Sequence, residues 1–394
     1  QAESLDSFVA AEADGLADLL AGYEAWARET LEHYAPLPGS LAFRADAADP
    51  RAAFLAAIRV NPTLAYGLHR QVMVEDAAVS AARQRRFPDL SFLAGGTSTK
   101  AVVYEQLAPG DGVSPAHVIA TASDEPDFGM DIGLFEDNET PFGARYGFGT
   151  QPFGNPNLDY SSQAPFHMGF YHLDWVTSTA QPDLLRTFPE YRVSLYRTLG
   201  LYAFRTGHDY WGWRFLGWAL HYVGDLTQPY HADPLPGVST IEALWQLMWG
   251  RSGDLIQLVS NRHGVIESYQ YQRVQAAMEA KEWNHPVLAA IADGGPRPAV
   301  SERLLRDHLT VESVDAGADL DSTLEQYVPP RFVSDPSFEW TGSGEEPYIV
   351  ERVREGGGAA AVGALDAVVA SQLQRFSRYA GAWIEMGVAA AKGP

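Results

Sequence analysis

Residues 219–233 read ALHYVGDLTQPYHAD and combine three potential metal ligands, His221, Asp225 and His231, with a Gln-Pro pair. If the preceding WGWRFLGWALHYVGD is helical, His221 and Asp225 stand at positions i and i+4, where two side chains can bind one cation. Pro229 disfavours helical backbone at the residue before it and so ends the helix. His231 then projects from the exit turn, where it could reach a second ion, because paired metals lie about 3.5–4 Å apart.

A second pair of potential ligands lies downstream. In NRHGVIESY, His263 and Glu267 again stand at i and i+4, on one face of a predicted helix. Together with His231 they supply two imidazoles and one carboxylate. A set of three protein ligands leaves a coordination position for water, which is typical of catalytic zinc sites.

The first set of ligands requires partners from further upstream. The stretch ASDEPDFGMD offers Asp127, and APFHMGFYHLDW offers either His167 or His172. A single His-x-x-x-Asp pair on a helix is more often a surface hydrogen bond or ion pair. The combination of two such pairs with a histidine after Gln-Pro favours metal binding.

Composition limits the class of protein and the kind of metal site. The chain has 394 residues, of which 46% are hydrophobic and 12% aromatic, and this indicates a folded protein with a large core. The formal net charge of −22 disfavours nonspecific contact with nucleic acid or anionic lipid, unless metal ions neutralise the site locally. Because there is no cysteine, any zinc must be held by histidine and carboxylate ligands.

The apolar pattern predicts a mainly α protein. Residues 1 to about 85 read as helices, and helices return from Glu190. In the last helix, one stripe contains Val362, Leu365, Val369 and Leu373. From about 106 to 165 the pattern dissolves into turn-forming residues, which predicts a long ordered loop. No strand signal of comparable strength appears.

The motif HYVGDLTQPYH resembles the His-Tyr-x-Gly-Asp-x-x-x-Pro-x-His signature of the zinc-dependent phospholipase C and S1/P1 nuclease superfamily. The order of the flanking motifs agrees, and the similarity covers roughly residues 120 to 270 and the last helix. The resemblance implies a helical bundle of the phospholipase C/P1 nuclease type. It also implies one domain over residues 1–394, with insertions near 128–165 and 234–260.

The resemblance implies two sets of zinc ligands. The first zinc would be held by Asp127, one of His172 and His167, His221 and Asp225, and the second by His231, His263 and Glu267. Asp127 would also orient or deprotonate the attacking water. His172 is preferred over His167, because HLDW is closer to the family's His-aromatic-x-Asp pattern.

The sequence departs from the family at its start. Family members usually begin at a Trp that binds a third zinc together with an early histidine, whereas this chain begins at Gln1 and has no early Trp-x-x-x-His element. The sequence therefore predicts two zinc ions. If a third zinc were bound, His69 would be the candidate to replace the missing early histidine ligand. The opening QAESLDSF has no initiator Met and no basic-then-apolar leader, so we expect a processed, secreted or periplasmic protein.

These features predict a zinc-dependent hydrolase of phosphate diesters, of the phospholipase C kind, acting on a phospholipid or a related diester. Between Asp131 and Tyr171 the only Lys or Arg is Arg145, and the many aromatic residues there predict an apolar rim. One alternative is a single-strand nuclease or 3′-nucleotidase with nucleic acid as its substrate. Another is a secreted binding protein that keeps zinc without turnover. No uninterrupted apolar run of about 18 residues occurs, so no transmembrane segment is expected.

Overall fold

The computed structural model describes residues 1–73, 79–92, 102–154, 159–238 and 252–393. Of these described residues, 61% are helix and 3% strand, which confirms the predicted mainly α class. It divides into two compact units that are each assembled from distant segments. The first unit comprises Gln1–His167, Arg186–Val223 and Trp383–Pro394, and the second comprises Met168–Leu185 and Gly224–Ala382. The single domain expected over residues 1–394 stays a prediction.

The first unit contains most of the N-terminal helices. They are α1 (Leu5–Ala11), α2 (Ala13–Thr30), α3 (Pro50–Ala57), α4 (Pro115–Ala122), α5 (Gly143–Tyr146), α6 (Asp159–Ser162), α7 (Ala164–His167), α9 (Pro189–Arg205) and α10 (Asp209–Asp225), whose last two residues fall in the second unit. Local caps fix several of their starts. The Asp49 carboxylate accepts the Ala52 N–H at 2.9 Å, directly before Pro50 in the first turn of α3.

A small antiparallel sheet also belongs to the first unit. Its strands β1 (His69–Met73), β2 (Gln84–Arg85) and β3 (Val102–Gln106) lie in the order β1-β3-β2, with His69 opposite Gln106. The prediction that the chain is helical up to about residue 85 is therefore wrong from His69 onward. Strands of two to five residues are too short to give a clear alternating pattern.

The segment predicted as a loop over residues 106–165 is only partly irregular. It carries α4 and short 3₁₀ turns at Glu125–Phe128 and Glu136–Asn138. Ser114 caps α4 by accepting the His117 N–H at 3.3 Å, and Pro115 occupies the first turn. An eight-residue helix started by a local cap is too short to show a sustained helical period.

The core of the first unit is built around α10. Its side chains Trp211, Phe215 and Trp218 are fully buried and pack edge to face or tilted against one another. Helix α9 lies very close to α10 where two glycines meet. A Cβ atom on Gly200 would lie 3.1 Å from the Gly212 carbonyl oxygen, so a larger residue would push the helices apart.

The second unit contains the remaining helices. They are α8 (Trp175–Ala180), α11 (Pro229–Ala232), α12 (Ser252–Glu279), α13 (Pro286–Ala292), α14 (Thr310–Asp315), α15 (Gly317–Tyr327), α16 (Pro330–Val333) and α17 (Ile349–Ala391), of which residues up to Ala382 belong here. A π-helical turn, Leu305–Leu309, precedes α14. Helix α17 is broken at Gly358, where φ is 66°.

The predicted apolar stripe of the last helix forms part of the second unit's core. Val362, Leu365, Val369 and Leu373 are buried in a cluster with residues of α12, which confirms the stripe. About half of the predicted insertion near 234–260 lies outside the described residues, namely 239–251.

The helix over Glu346–Ala391 is long and apolar enough to cross a membrane, with a mean hydropathy of 1.2 in its best 18-residue window. This is a weak indication, because buried core helices meet the same criterion. In this structure, 39% of that window is buried against the rest of the chain. The expectation of no transmembrane segment therefore stays a prediction.

Candidate metal centres

The first cluster of potential ligands consists of Asp127, His167 and His221 and lies in the first unit. The His221 Nε2 atom is 3.0 Å from His167 Nδ1. Asp127 Oδ1 lies 3.6 Å from the His221 nitrogen and 4.0 Å from the His167 nitrogen. The side chains of His167 and His221 are 7% and 8% exposed, whereas that of Asp127 is 60% exposed. Two imidazoles and one carboxylate therefore converge at a place that solvent can reach.

His221 is oriented by its other ring nitrogen. Its Nδ1 atom donates to the Ser123 carbonyl oxygen at 2.7 Å. Because a carbonyl can only accept, this contact places the hydrogen of a neutral ring on Nδ1. The lone pair of Nε2 then points into the first cluster.

His167 is the last residue of α7, and both of its ring nitrogens have close neighbours. Its Nδ1 faces His221 Nε2, while its Nε2 lies 3.6 Å from Asp131 Oδ2. A hydrogen on Nε2 would leave two lone pairs facing each other at 3.0 Å. A hydrogen on Nδ1 would instead direct a lone pair at the Asp131 carboxylate. A cation between the two rings, either a metal ion or an additional proton, removes this conflict.

The three ligand atoms also fit the dimensions of a zinc site. A point equidistant from them, given separations of 3.0, 3.6 and 4.0 Å, lies about 2.1 Å from each, and zinc binds nitrogen and carboxylate oxygen at about 2.0–2.2 Å. Two imidazoles and a carboxylate are also a common ligand set for zinc. The residues of the first cluster therefore fit a bound zinc ion.

The turn that presents Asp127 is anchored through Glu125. This buried carboxylate accepts two hydrogen bonds of 2.9 Å from Arg214, and another from Trp218 Nε1. Arg214 lies on α10 seven residues before His221, which is about two helical turns. One helix therefore carries both a ligand and the residue that fixes the opposing turn.

The second cluster consists of His231, His263 and Glu267 and lies in the second unit. The Glu267 Oε1 atom is 3.2 Å from His231 Nε2 and 2.9 Å from His263 Nε2. His263 and Glu267 are one turn apart on α12, and His231 lies on the short helix α11. The two imidazole rings are perpendicular, with centroids 4.7 Å apart.

Glu267 is ionised in this environment. Burial alone would raise the pKa of its carboxyl, but the neighbouring His263 and His231 outweigh that effect and lower the pKa well below 4.5. Its side chain is still 51% exposed, so an ion can reach it. An ionised carboxylate beside two imidazoles is a suitable ligand set for a divalent metal.

Each histidine of the second cluster follows a buried anchoring residue. Tyr230 stacks on the His263 ring at 5.7 Å, and its hydroxyl donates to Asp321 at 2.6 Å. Arg262 donates to the other oxygen of Asp321 at 2.5 Å and to the Val333 carbonyl at 2.8 Å. Sequence reasoning did not find these contacts, because Asp321 lies far from both histidines along the chain.

The structure places His167, and not the preferred His172, with Asp127 and His221. The ring of His172 instead lies in the second unit, with Nε2 2.9 Å from the Arg306 carbonyl oxygen and 3.0 Å from Thr310 Oγ1. The aspartate two positions after His172 favoured that histidine, but this local pattern does not report which histidine lies near Asp127 and His221 in the fold.

In the part of the chain that the structure describes, two further predicted ligands belong to neither group of potential metal ligands. Asp225 is the last residue of α10 and falls in the second unit, so its role as a zinc ligand stays a prediction. His69 is buried in β1, with Nε2 3.5 Å from Glu125 Oε1. Among the described residues, His69 belongs to neither cluster.

The sequence missed one residue next to the first cluster. Asp131 follows Asp127 by four positions, and its fully buried carboxylate faces His167. The only signal in the sequence was its place in the acidic stretch ASDEPDFGMD.

Comparison with known proteins adds no assignment, since no protein-family model, curated protein or solved structure matches the chain.

Proposed function

We propose that the chain is a zinc-dependent hydrolase of phosphate diesters of the phospholipase C kind. The observation that carries this proposal is the first cluster, where two imidazole nitrogens face each other at 3.0 Å beside an exposed carboxylate. The second cluster supplies another set of two imidazoles and one carboxylate. Sets of three protein ligands that leave a position open for water are typical of catalytic zinc rather than structural zinc.

Bound zinc would lower the pKa of a coordinated water toward about 7 and stabilise negative charge on a phosphoryl oxygen. The protein would hold the metal ligands in place and accept the proton that the attacking water loses. His221 is fixed by the Ser123 carbonyl, and the turn carrying Asp127 is fixed by Glu125. Because the Asp127 side chain is exposed, it can contact water and accept its proton.

The choice of substrate rests on charge. Nucleic-acid enzymes usually contact several phosphates with Lys and Arg side chains, yet Arg145 is the only Lys or Arg between Asp131 and Tyr171. The net charge of −22 disfavours nucleic acid and anionic lipid alike, but it does not disfavour a zwitterionic lipid such as phosphatidylcholine. We therefore propose a lipid diester as the substrate.

The aromatic residues of this segment were expected to form an apolar rim around the site. Their burial means that they give no support to the choice of a lipid. Most of the segment's aromatic side chains are buried in the protein instead of facing solvent, namely Phe135, Tyr146, Phe148, Phe166 and Phe170. Their phenyl rings pack against one another, as in the contact of Phe148 with Phe166 at 5.0 Å. The segment is aromatic because it forms core.

The proposal is tested by comparing two substrates with one catalytic variant. Zinc-loaded protein is incubated with phosphatidylcholine micelles and, separately, with single-stranded oligonucleotides, and kcat/KM is measured for each. We expect headgroup release, and a loss of about 10²–10⁴-fold in Asp127→Asn, which keeps the shape of the side chain but removes the base.

Other outcomes identify the alternatives. Oligonucleotide cleavage without headgroup release would favour a single-strand nuclease or 3′-nucleotidase. Activity on neither substrate in protein that holds zinc would favour a non-catalytic zinc protein. Wild-type turnover in Asp127→Asn would contradict the role assigned to that residue.

A further inference from the structure

A fully buried carboxylate, Asp131, lies directly behind the first cluster. Its Oδ1 atom accepts a 2.5 Å hydrogen bond from Arg192 Nη2, and its Oδ2 atom accepts one of 2.5 Å from the Tyr222 hydroxyl. The same Oδ2 atom lies 3.6 Å from His167 Nε2. Asp131, Arg192 and Tyr222 are all essentially inaccessible to solvent.

The charge of Asp131 is fixed by its partner. Arg192 is fully buried, and its guanidinium donates to the Ile58 and Arg59 carbonyl oxygens at 2.8 Å each. A buried guanidinium requires a nearby anion, because an isolated charge in the interior is strongly destabilising. Asp131 supplies that anion and presents its second oxygen to His167.

The position of Asp131 decides between the two possible tautomers of His167. An anionic oxygen facing His167 Nε2 favours the tautomer with its hydrogen on Nε2, which leaves the Nδ1 lone pair directed at Asp127 and His221. Tyr222, which also binds Asp131, is the residue after His221 on α10. The Asp131 carboxylate therefore faces the ring of His167 and also binds the residue that follows His221.

We propose that Asp131 is a positioning residue that selects the Nε2–H tautomer of His167 and thereby sets the metal affinity of the first cluster. The inference rests on the proposed zinc site. Histidine ligands commonly donate their other N–H to a carboxylate, and loss of that carboxylate typically weakens metal binding by about 10–100-fold.

The test compares two variants that disturb the same buried network. Asp131→Asn removes the anion facing His167, whereas Tyr222→Phe removes only a hydrogen-bond donor and keeps the carboxylate. Both are made in a Glu267→Ala background, so that zinc binding reports the first cluster alone. Zinc dissociation constants are measured by competition with a chromophoric chelator, and the folded fraction is monitored by circular dichroism.

We expect Asp131→Asn to weaken zinc binding by about 10–100-fold and Tyr222→Phe to have a much smaller effect. Equal affinities in the Glu267→Ala parent and in its Asp131→Asn variant, or equal losses in the two variants, would overturn the positioning role. Absence of zinc binding to the parent protein would instead overturn the metal site itself, and the proposed function with it.

A second measurement uses the unmodified protein, so it holds even if Asp131→Asn fails to fold. Nitrogen-15 NMR of zinc-loaded protein, with the His167 signals assigned by their loss in His167→Gln, reports which ring nitrogen carries hydrogen. The inference predicts a protonated Nε2 and a metal-bound Nδ1. The opposite tautomer would overturn it.

Discussion

The contact between Arg214 and Glu125 should control both the stability of the first unit and the position of Asp127. Arg214 is 2% exposed and donates two hydrogen bonds of 2.9 Å to Glu125, which is itself 6% exposed. Arg214→Met would leave the buried carboxylate without its cation. Breaking a buried ion pair in this way typically costs about 3–5 kcal/mol, so we expect the free energy of unfolding to fall by about that amount.

A double-mutant cycle measured by urea unfolding separates this charge effect from lost packing. In Arg214→Met/Glu125→Leu neither charge is left alone, so the double variant should be less destabilised than the sum of the single variants, by about 1–3 kcal/mol.

Zinc binding should also weaken in Arg214→Met, because the turn carrying Asp127 loses its anchor. The exposed pair Arg303–Asp307 is the matched control, and Arg303→Met should leave stability nearly unchanged because water screens that pair. Additive effects in the cycle would refute the reasoning.

Two further predictions concern the second cluster and the pH dependence of stability. His263→Ala should reduce the zinc content by about one ion per chain, because a set of three ligands loses one of them. The control His117→Ala changes an exposed histidine and should leave the zinc content unchanged. Elemental analysis measures both, and equal zinc contents in the two variants would contradict the assignment. Burial lowers the pKa of His69 below its usual 6.5, an effect that the opposing charge of Glu125 does not cancel. As the pH falls below 6.5, the unfolded chain therefore binds a proton that the folded protein does not, and stability decreases. His69→Gln should flatten this decrease in urea unfolding of zinc-free protein between about pH 7 and pH 5, and unchanged slopes would argue against a buried neutral His69.

The parts of the site that could be predicted from the sequence are those encoded over short distances. His263 and Glu267 are one helical turn apart, and a helix brings such residues together whatever the rest of the fold does. The Gln-Pro pair likewise marks the start of α11, where His231 lies, although α10 itself already ends at Asp225. The mainly α class followed from long amphipathic stretches such as the last helix.

The remaining features depend on contacts that a short motif does not encode. Arg192 is 61 residues from Asp131, and their pairing arises from the packing of α9 in the first unit. The choice between His167 and His172 depends on the tertiary fold, which places His167 at the end of α7 beside His221, whereas the local pattern HLDW favoured His172. The sheet was missed because its strands are short and His69 is joined to Gln106 only through the tertiary fold.

Anomalous X-ray diffraction at the zinc absorption edge, on crystals of protein supplied with zinc, tests the central claim most directly. We expect two anomalous peaks, one within bonding distance of the three ligand atoms of the first cluster and one at the second cluster. A peak beside His167 Nδ1 and His221 Nε2 would show that a metal ion occupies the space between these two nitrogens. No peak at either cluster in zinc-supplied crystals would contradict the account.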